Sequence, residues 1–200
     1  MTATTTARLQ WRAVDIVVAA VLGVATGLIF WVWNSIGYAG YEALNTLTPG
    51  FGGLATGLWY LGGPLGMLVI RKPGAAIFVE LLAAAVSAGL GNQWGLPTLA
   101  SGVAQGLGAE IVFALVAYRA FNAAITVLSG ALAGAAAWLN ELVVFGNAAK
   151  GTTFNAIYLV ANVLSGALLA GVVALILVRL LAATGALDRF AAGRARLKEI

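Results

Sequence analysis

A chain of 200 residues that is 62% hydrophobic and only 9% charged excludes a soluble fold, because soluble domains carry roughly 25% charged residues to cover their surface. Apolar residues run along the whole length, so the chain reads as an all-α, multi-pass membrane protein forming one integral domain over residues 1–200. The absence of Cys and His removes disulfides, the usual zinc sites and Ser–His or Cys–His nucleophile pairs, so no metal, cofactor or catalytic residue is expected.

Six spans follow in order. The first covers about 13–34 and continues past the length of a signal-peptide core. A Gly- and Tyr-rich connection, 35–53, follows it, and a loop of this length suits either a lid or a passive connector. The second span, about 54–70, is interrupted by Gly62–Gly63–Pro64, a break that neighbouring helices can re-satisfy. The third, about 75–90, opens after Pro73 and is short for the ~30 Å of hydrocarbon it must cross. The fourth, about 98–118, opens on Pro97. The fifth covers about 123–145 and the sixth about 154–183, followed by a basic tail, 184–200.

Basic residues fix the expected orientation. With both termini cytoplasmic, Arg8, Arg12, Arg71, Lys72, Arg119, Arg179, Arg189, Arg194, Arg196 and Lys198 fall inside, and Lys150 alone of the eleven falls outside. That agrees with the positive-inside rule and places a compact six-helix bundle in the cell membrane.

Aromatic residues gather on the expected outer side: Trp31, Trp33, Tyr38, Tyr41, Trp59, Tyr60, Trp94, Trp138 and Tyr158, against Trp11 and Tyr118 inside. A membrane belt would decorate both interfaces, so the asymmetry points to an aromatic cavity open to the outside. Helical spacing puts Trp138 and Glu141 on one face of the fifth span, and Asn155, Tyr158, Asn162 and Ser165 on one face of the sixth. Trp94 sits in the turn before the fourth span, which carries Gln105 and Glu110. A carboxylate as deep as Glu110 costs about 2.5–3.5 kcal/mol to insert, which marks it for function. Glu80 reads as a structural group near the basic loop. Glu110 and Glu141, stacking by Trp94, Trp138 and Tyr158, and hydrogen bonds from Gln105, Asn155 and Asn162 suit a flat amino-heterocycle, neutral or cationic. Ala19, Gly23 and Gly27 form a small-residue ridge that another helix, in this bundle or in a partner subunit, can approach closely.

The segments RKPGAAIFVELLAA, NQWG and QGLGAEIVFALVAYR, in this order on short spans, resemble the substrate-binding (S) components of energy-coupling factor (ECF) transporters. The subgroup is the YkoE-like family associated with thiamine and its hydroxymethylpyrimidine precursor. The resemblance implies a non-enzymatic subunit that captures a vitamin on the outer side. It also implies partnership with a transmembrane coupling (T) subunit and two cytosolic ATPases, the first-helix ridge forming part of that contact, and no nucleic-acid partner. The lack of a GKS or GKT phosphate loop fits ATP hydrolysis elsewhere. Two alternatives stay open: an ion-coupled carrier using Glu110, and an S component for a different vitamin.

Overall fold

The computed structural model describes the backbone of residues 9–196 and the side chains of residues 9–193; among them every regular element is helical. Arg8 and Lys198, and the side chains of Arg194 and Arg196, lie outside the described residues.

Helix α1 spans Ala13–Leu47. Its start is closed by Asp15, whose carboxylate accepts from the Arg12 backbone N–H at 2.8 Å and pairs with the Arg12 guanidinium at 2.7 Å, an acidic first-turn cap favoured by the helix dipole. Its buried seam, Ala19, Gly23, Thr26, Gly27, Phe30, Asn34 and Gly37, recurs at three- and four-residue steps. Val17, Val21, Val24 and Leu28 face outward, as lipid-facing residues should. The expected connection from residue 35 is helix as far as Leu47. Nothing in SIGYAGYEALNTL stops a helix until Thr48–Pro49, where the proline cannot continue it. At ~1.5 Å per residue the 35-residue helix is roughly 50 Å long, well beyond the ~30 Å of hydrocarbon.

After Gly50, in the left-handed region at φ 101°, Phe51–Tyr60 winds as a 3-10 helix of 10 residues, where runs beyond three or four are uncommon. Side chains of α6 (Thr152–Ser165) hold it. Ser165 Oγ donates to Leu54 O at 2.7 Å and accepts from Gly57 N at 2.9 Å. Asn162 Oδ1 accepts from Thr56 Oγ1 at 2.9 Å and from the Tyr60 hydroxyl. Gly53 and Gly57 lie flush on α6, where any Cβ would strike Ala161 and the Ser165 backbone. The winding changes to α2, Gly62–Ile70, at the GGP break read from the sequence. This span is the core of the bundle: 83% of the Phe51–Ile70 window is buried, against 28–44% for the other four long spans.

Helices α3 (Ala75–Gly89), α4 (Pro97–Leu115) and α5 (Ala123–Val144) pack around it. Among the described residues five helical spans are long and apolar enough to cross a membrane, and α3 is a shorter apolar helix. The Ala19–Gly23–Gly27 ridge faces α3 within the same chain. A Cβ on Gly23 would meet Leu82 at 2.8 Å, and one on Gly27 would meet Val86 at 2.6 Å and Ala83 O at 2.9 Å. A 3-10 turn, Asn147–Lys150, leads to α6, which passes through a π-helical segment, Gly166–Val172, into α7, Val173–Ala183. The tail continues to α8, Ala191–Arg196. Part of it joins the core instead of being solvated: Leu187, Phe190 and Ala192 are buried.

Candidate functional site

One end of the bundle holds a cavity of about 490 Å³, within the 300–1,000 Å³ typical of small-molecule sites. The extension of α1 forms one wall. Asn34, Tyr38, Tyr41, Glu42 and Asn45 line the cavity, a single helical face at steps of four, three, one and three. Thr56, Trp59 and Tyr60 enter from the 3-10 helix, Ser87 from α3 and Thr98, Ser101 and Gln105 from α4. Glu141 and Phe145 come from α5, Asn147 and Lys150 from the following turn, and Phe154 and Tyr158 from α6.

The aromatic groups form a continuous wall. Trp59 meets Trp94 edge-to-face at 5.3 Å, Trp94 meets Tyr38 at 5.6 Å, and Tyr38 stacks on Tyr41 at 5.8 Å. Tyr41 then meets Tyr158 at 6.2 Å, and Tyr158 stacks on Phe154 at 5.3 Å, with Lys150 Nζ 4.8 Å from the Phe154 centroid. Such rings offer faces for stacking and, for a cation, quadrupole attraction. Trp94 is aimed by its turn: Asn92 Oδ1 accepts from Trp94 N at 3.1 Å and Gly95 N at 2.7 Å. Two carboxyl groups, Glu42 and Glu141, and one amine, Lys150, line the same space.

Four of the residues expected from sequence meet here: Glu141, Trp94, Tyr158 and Gln105. The other four do not line the cavity. Trp138 donates its Nε1–H to Asn155 O at 3.0 Å, bracing α5 on α6. Asn155 Nδ2 donates to Asn147 O and Gly151 O at 2.8 and 2.9 Å, holding the turn that carries Lys150; its Oδ1 is buried without a protein partner among the described residues. Asn162 serves the 3-10 helix, as above.

Glu110 departs most from expectation. Its carboxylate accepts from Gly74 N at 2.7 Å and Ala76 N at 2.9 Å, the free N–H groups that open α3, and from the Tyr118 hydroxyl at 2.9 Å. The cost of its depth is offset by capping a buried helix start, where a negative charge is favoured. Burial, and the Glu110 carboxylate it donates to, push the Tyr118 phenol up to about 12, so it stays a donor. Nearby lie three non-glycine residues in the left-handed region, Arg71, Ala117 and Tyr118. Asp15, fully buried, also pairs with Lys72 at 3.4 Å, and Trp11 Nε1 donates to Pro73 O at 2.9 Å. The basic loop is thus fastened at the end opposite the cavity.

Glu80 anchors the start of α2. It is fully buried, and its Oε2 accepts from Gly63 N at 2.7 Å where α2 begins. Sequence reasoning missed Glu42 and Asn45 as cavity residues, because residues 35–53 read as a loop, and missed Asn34 because the helical face it belongs to was cut off at the end of the first span. The step from Asn34 through Tyr38 and Tyr41 to Glu42 and Asn45 was the signal available.

Comparison with known proteins agrees with this architecture. Residues 14–136 match the family of ABC-type cobalt transport system permease components. A protein of Bacillus subtilis (strain 168) described as an HMP/thiamine permease, YkoE, is 33% identical over 189 residues, 92% of each chain. The crystal structure of an S component of an ECF transporter superposes with a TM-score of 0.80 at 30% identity, over 95% of each chain. With matches this long in both sequence and fold, the chain belongs to the family of ECF transporter S components that includes YkoE.

Proposed function

We propose that this chain is the substrate-capture subunit of an ATP-driven vitamin uptake transporter, and that its cavity binds thiamine or the hydroxymethylpyrimidine from which thiamine is built. The observation that carries the reading is the joining of Glu141 to a wall of aromatic rings in one cavity of about 490 Å³, in a chain 33% identical to a protein described as an HMP/thiamine permease. The Glu141 carboxyl group pairs with an aminopyrimidine edge, the rings stack on its faces, and the aromatic faces attract a cationic second ring. On this reading the chain crosses the cell membrane six times, α3 being the short crossing. Both termini are cytoplasmic and the cavity faces outward, in keeping with the positive-inside distribution of Lys and Arg.

The energy for transport comes from partners, a transmembrane coupling subunit and two cytosolic ATPases. With Gly23 and Gly27 packed on α3, the coupling subunit meets other surfaces of α1 besides that ridge. The ion-coupled alternative rested on Glu110, whose carboxylate is engaged by two backbone N–H groups and a phenol. Proteoliposomes holding this chain with its coupling and ATPase subunits should accumulate thiamine only when ATP is supplied. Accumulation by the chain alone, driven by a proton gradient, would overturn the assignment.

A further inference from the structure

Lys150 stands apart from its neighbours in the cavity. Among the described residues it is the one basic side chain in a lining that otherwise offers rings, amides, hydroxyls and carboxyl groups. The turn that carries it, Asn147–Lys150, is fixed at both ends. Gly146 and Gly151 bracket it at φ 69° and 85°, a region that glycine enters without strain, and the Asn155 side chain ties Asn147 O to Gly151 O. The lysine head is thereby placed at one end of the ring wall. Its Nζ lies 4.8 Å from the Phe154 centroid, and Phe154 stacks on Tyr158 at 5.3 Å. Lys150 makes no ion pair among the described residues. It is exposed, and a lysine head in water is a compact positive charge on a flexible stem.

That charge bears unequally on the two compounds of the proposed function. Hydroxymethylpyrimidine is neutral above the pKa of its ring, whereas thiamine joins the same pyrimidine to a permanently cationic thiazolium. We propose that Lys150 is a specificity-determining residue, which holds the protein's own cation at the Phe154–Tyr158 end of the cavity and so disfavours the cationic ligand relative to the neutral one. The inference rests on the reading of the cavity as a pyrimidine site. Two terms act together. The lysine already takes the attraction of the Phe154 ring, a contact that amounts to about a two- to fivefold factor in affinity at an exposed site. It also repels a second cation in the same space, the kind of built-in opposition by which binding sites separate related ligands. A thiazolium is least opposed at the far end of the wall, by Trp59 and Trp94, where no basic side chain lines the cavity. Both compounds carry the pyrimidine, so a change in the shape of the site or in its Glu141 contact falls on both, and only the charge term falls on thiamine alone.

The experiment measures Kd for thiamine and for hydroxymethylpyrimidine by calorimetry on purified protein in detergent, at a mildly alkaline pH where the pyrimidine is neutral. Wild type, Lys150→Met and Lys150→Arg are compared, with melting temperature as the check on folding. Methionine keeps an unbranched stem without the charge, and arginine keeps the charge. Lys150→Met should bind thiamine about fivefold more tightly than wild type, with the affinity for hydroxymethylpyrimidine unchanged, while Lys150→Arg should keep the wild-type ratio of the two. The gain in Lys150→Met should shrink at about 1 M salt, where the Debye length is ~3 Å. A folded Lys150→Met protein with the wild-type ratio overturns the proposal. Weaker thiamine binding in that variant overturns it too, and assigns Lys150 to holding the ligand. If Lys150→Met does not fold, Lys150→Gln decides by the same ratio. A shift shared equally by both compounds overturns this inference alone, and binding of neither by wild type overturns it with the reading beneath it.

Discussion

Replacing Glu110 by Gln should lower stability and leave ligand affinity nearly unchanged. The carboxylate accepts three hydrogen bonds, two of them from the backbone N–H groups that open α3, at 2.7 and 2.9 Å. Bonds to a charged acceptor contribute about 1.5–3 kcal/mol each, and a buried donor left unpaired costs about 1–3 kcal/mol. Glutamine retains one acceptor oxygen, so one N–H faces an NH2 and the others lose charge assistance, a total of roughly 3 kcal/mol. At about 2–4 °C per kcal/mol for a chain of this size, the melting temperature should fall by on the order of 6–12 °C. The assay is thermal unfolding in detergent followed by size exclusion, with thiamine titration at a temperature where the variant is folded. An unchanged melting temperature combined with a loss of affinity beyond tenfold would refute the reasoning and return Glu110 to the ligand.

Other outcomes follow from the same geometry. Gly27→Val should sharply reduce the yield of folded protein even without partner subunits, since a Cβ there meets Val86 at 2.6 Å. Val21→Leu on the outward face, 61% exposed, should be silent in the same expression and melting assay. Tyr118 has a phenol raised to about 12 by burial, then by Glu110, against about 10 in the unfolded chain. Between these values the unfolded state has lost a proton that the folded state keeps. Its contribution is therefore whole below pH ~10 and is lost as pH rises toward ~12. The melting temperature of Tyr118→Phe should accordingly fall less steeply than that of wild type over this interval.

The fold was largely legible because lipid constrains it so strongly. Apolar runs, the GGP break and Pro97 each marked an element, and helix α4 does begin on Pro97. The α1 extension was not legible, because glycines and tyrosines in 35–53 carry loop statistics. Packing decides otherwise: Gly37 sits under the Trp33 ring, and Tyr38 and Tyr41 lean on other rings. The site was half legible. Helical spacing singled out Glu141 and Tyr158 and the turn sequence NQWG offered Trp94, and all three line the cavity. Spacing alone cannot separate a side chain that faces a ligand from one that faces a backbone amide, so Glu110, Asn155 and Asn162 were grouped with it. Their targets, the start of α3, the 147–150 turn and the 3-10 helix, are visible only once the helices are packed. The short α3 and the 10-residue 3-10 helix leave backbone groups that those polar residues satisfy.

The most direct test of the central claim is a calorimetric titration of the purified protein with thiamine, hydroxymethylpyrimidine, riboflavin and biotin, with Glu141→Gln in parallel. Thiamine or its pyrimidine should bind saturably, and riboflavin and biotin should not bind. Affinity should fall at least tenfold in Glu141→Gln, in keeping with the worth of a charge-assisted pair. Folded protein that binds neither pyrimidine compound, or binds them equally well without the Glu141 carboxylate, would contradict the assignment of this cavity as the vitamin site.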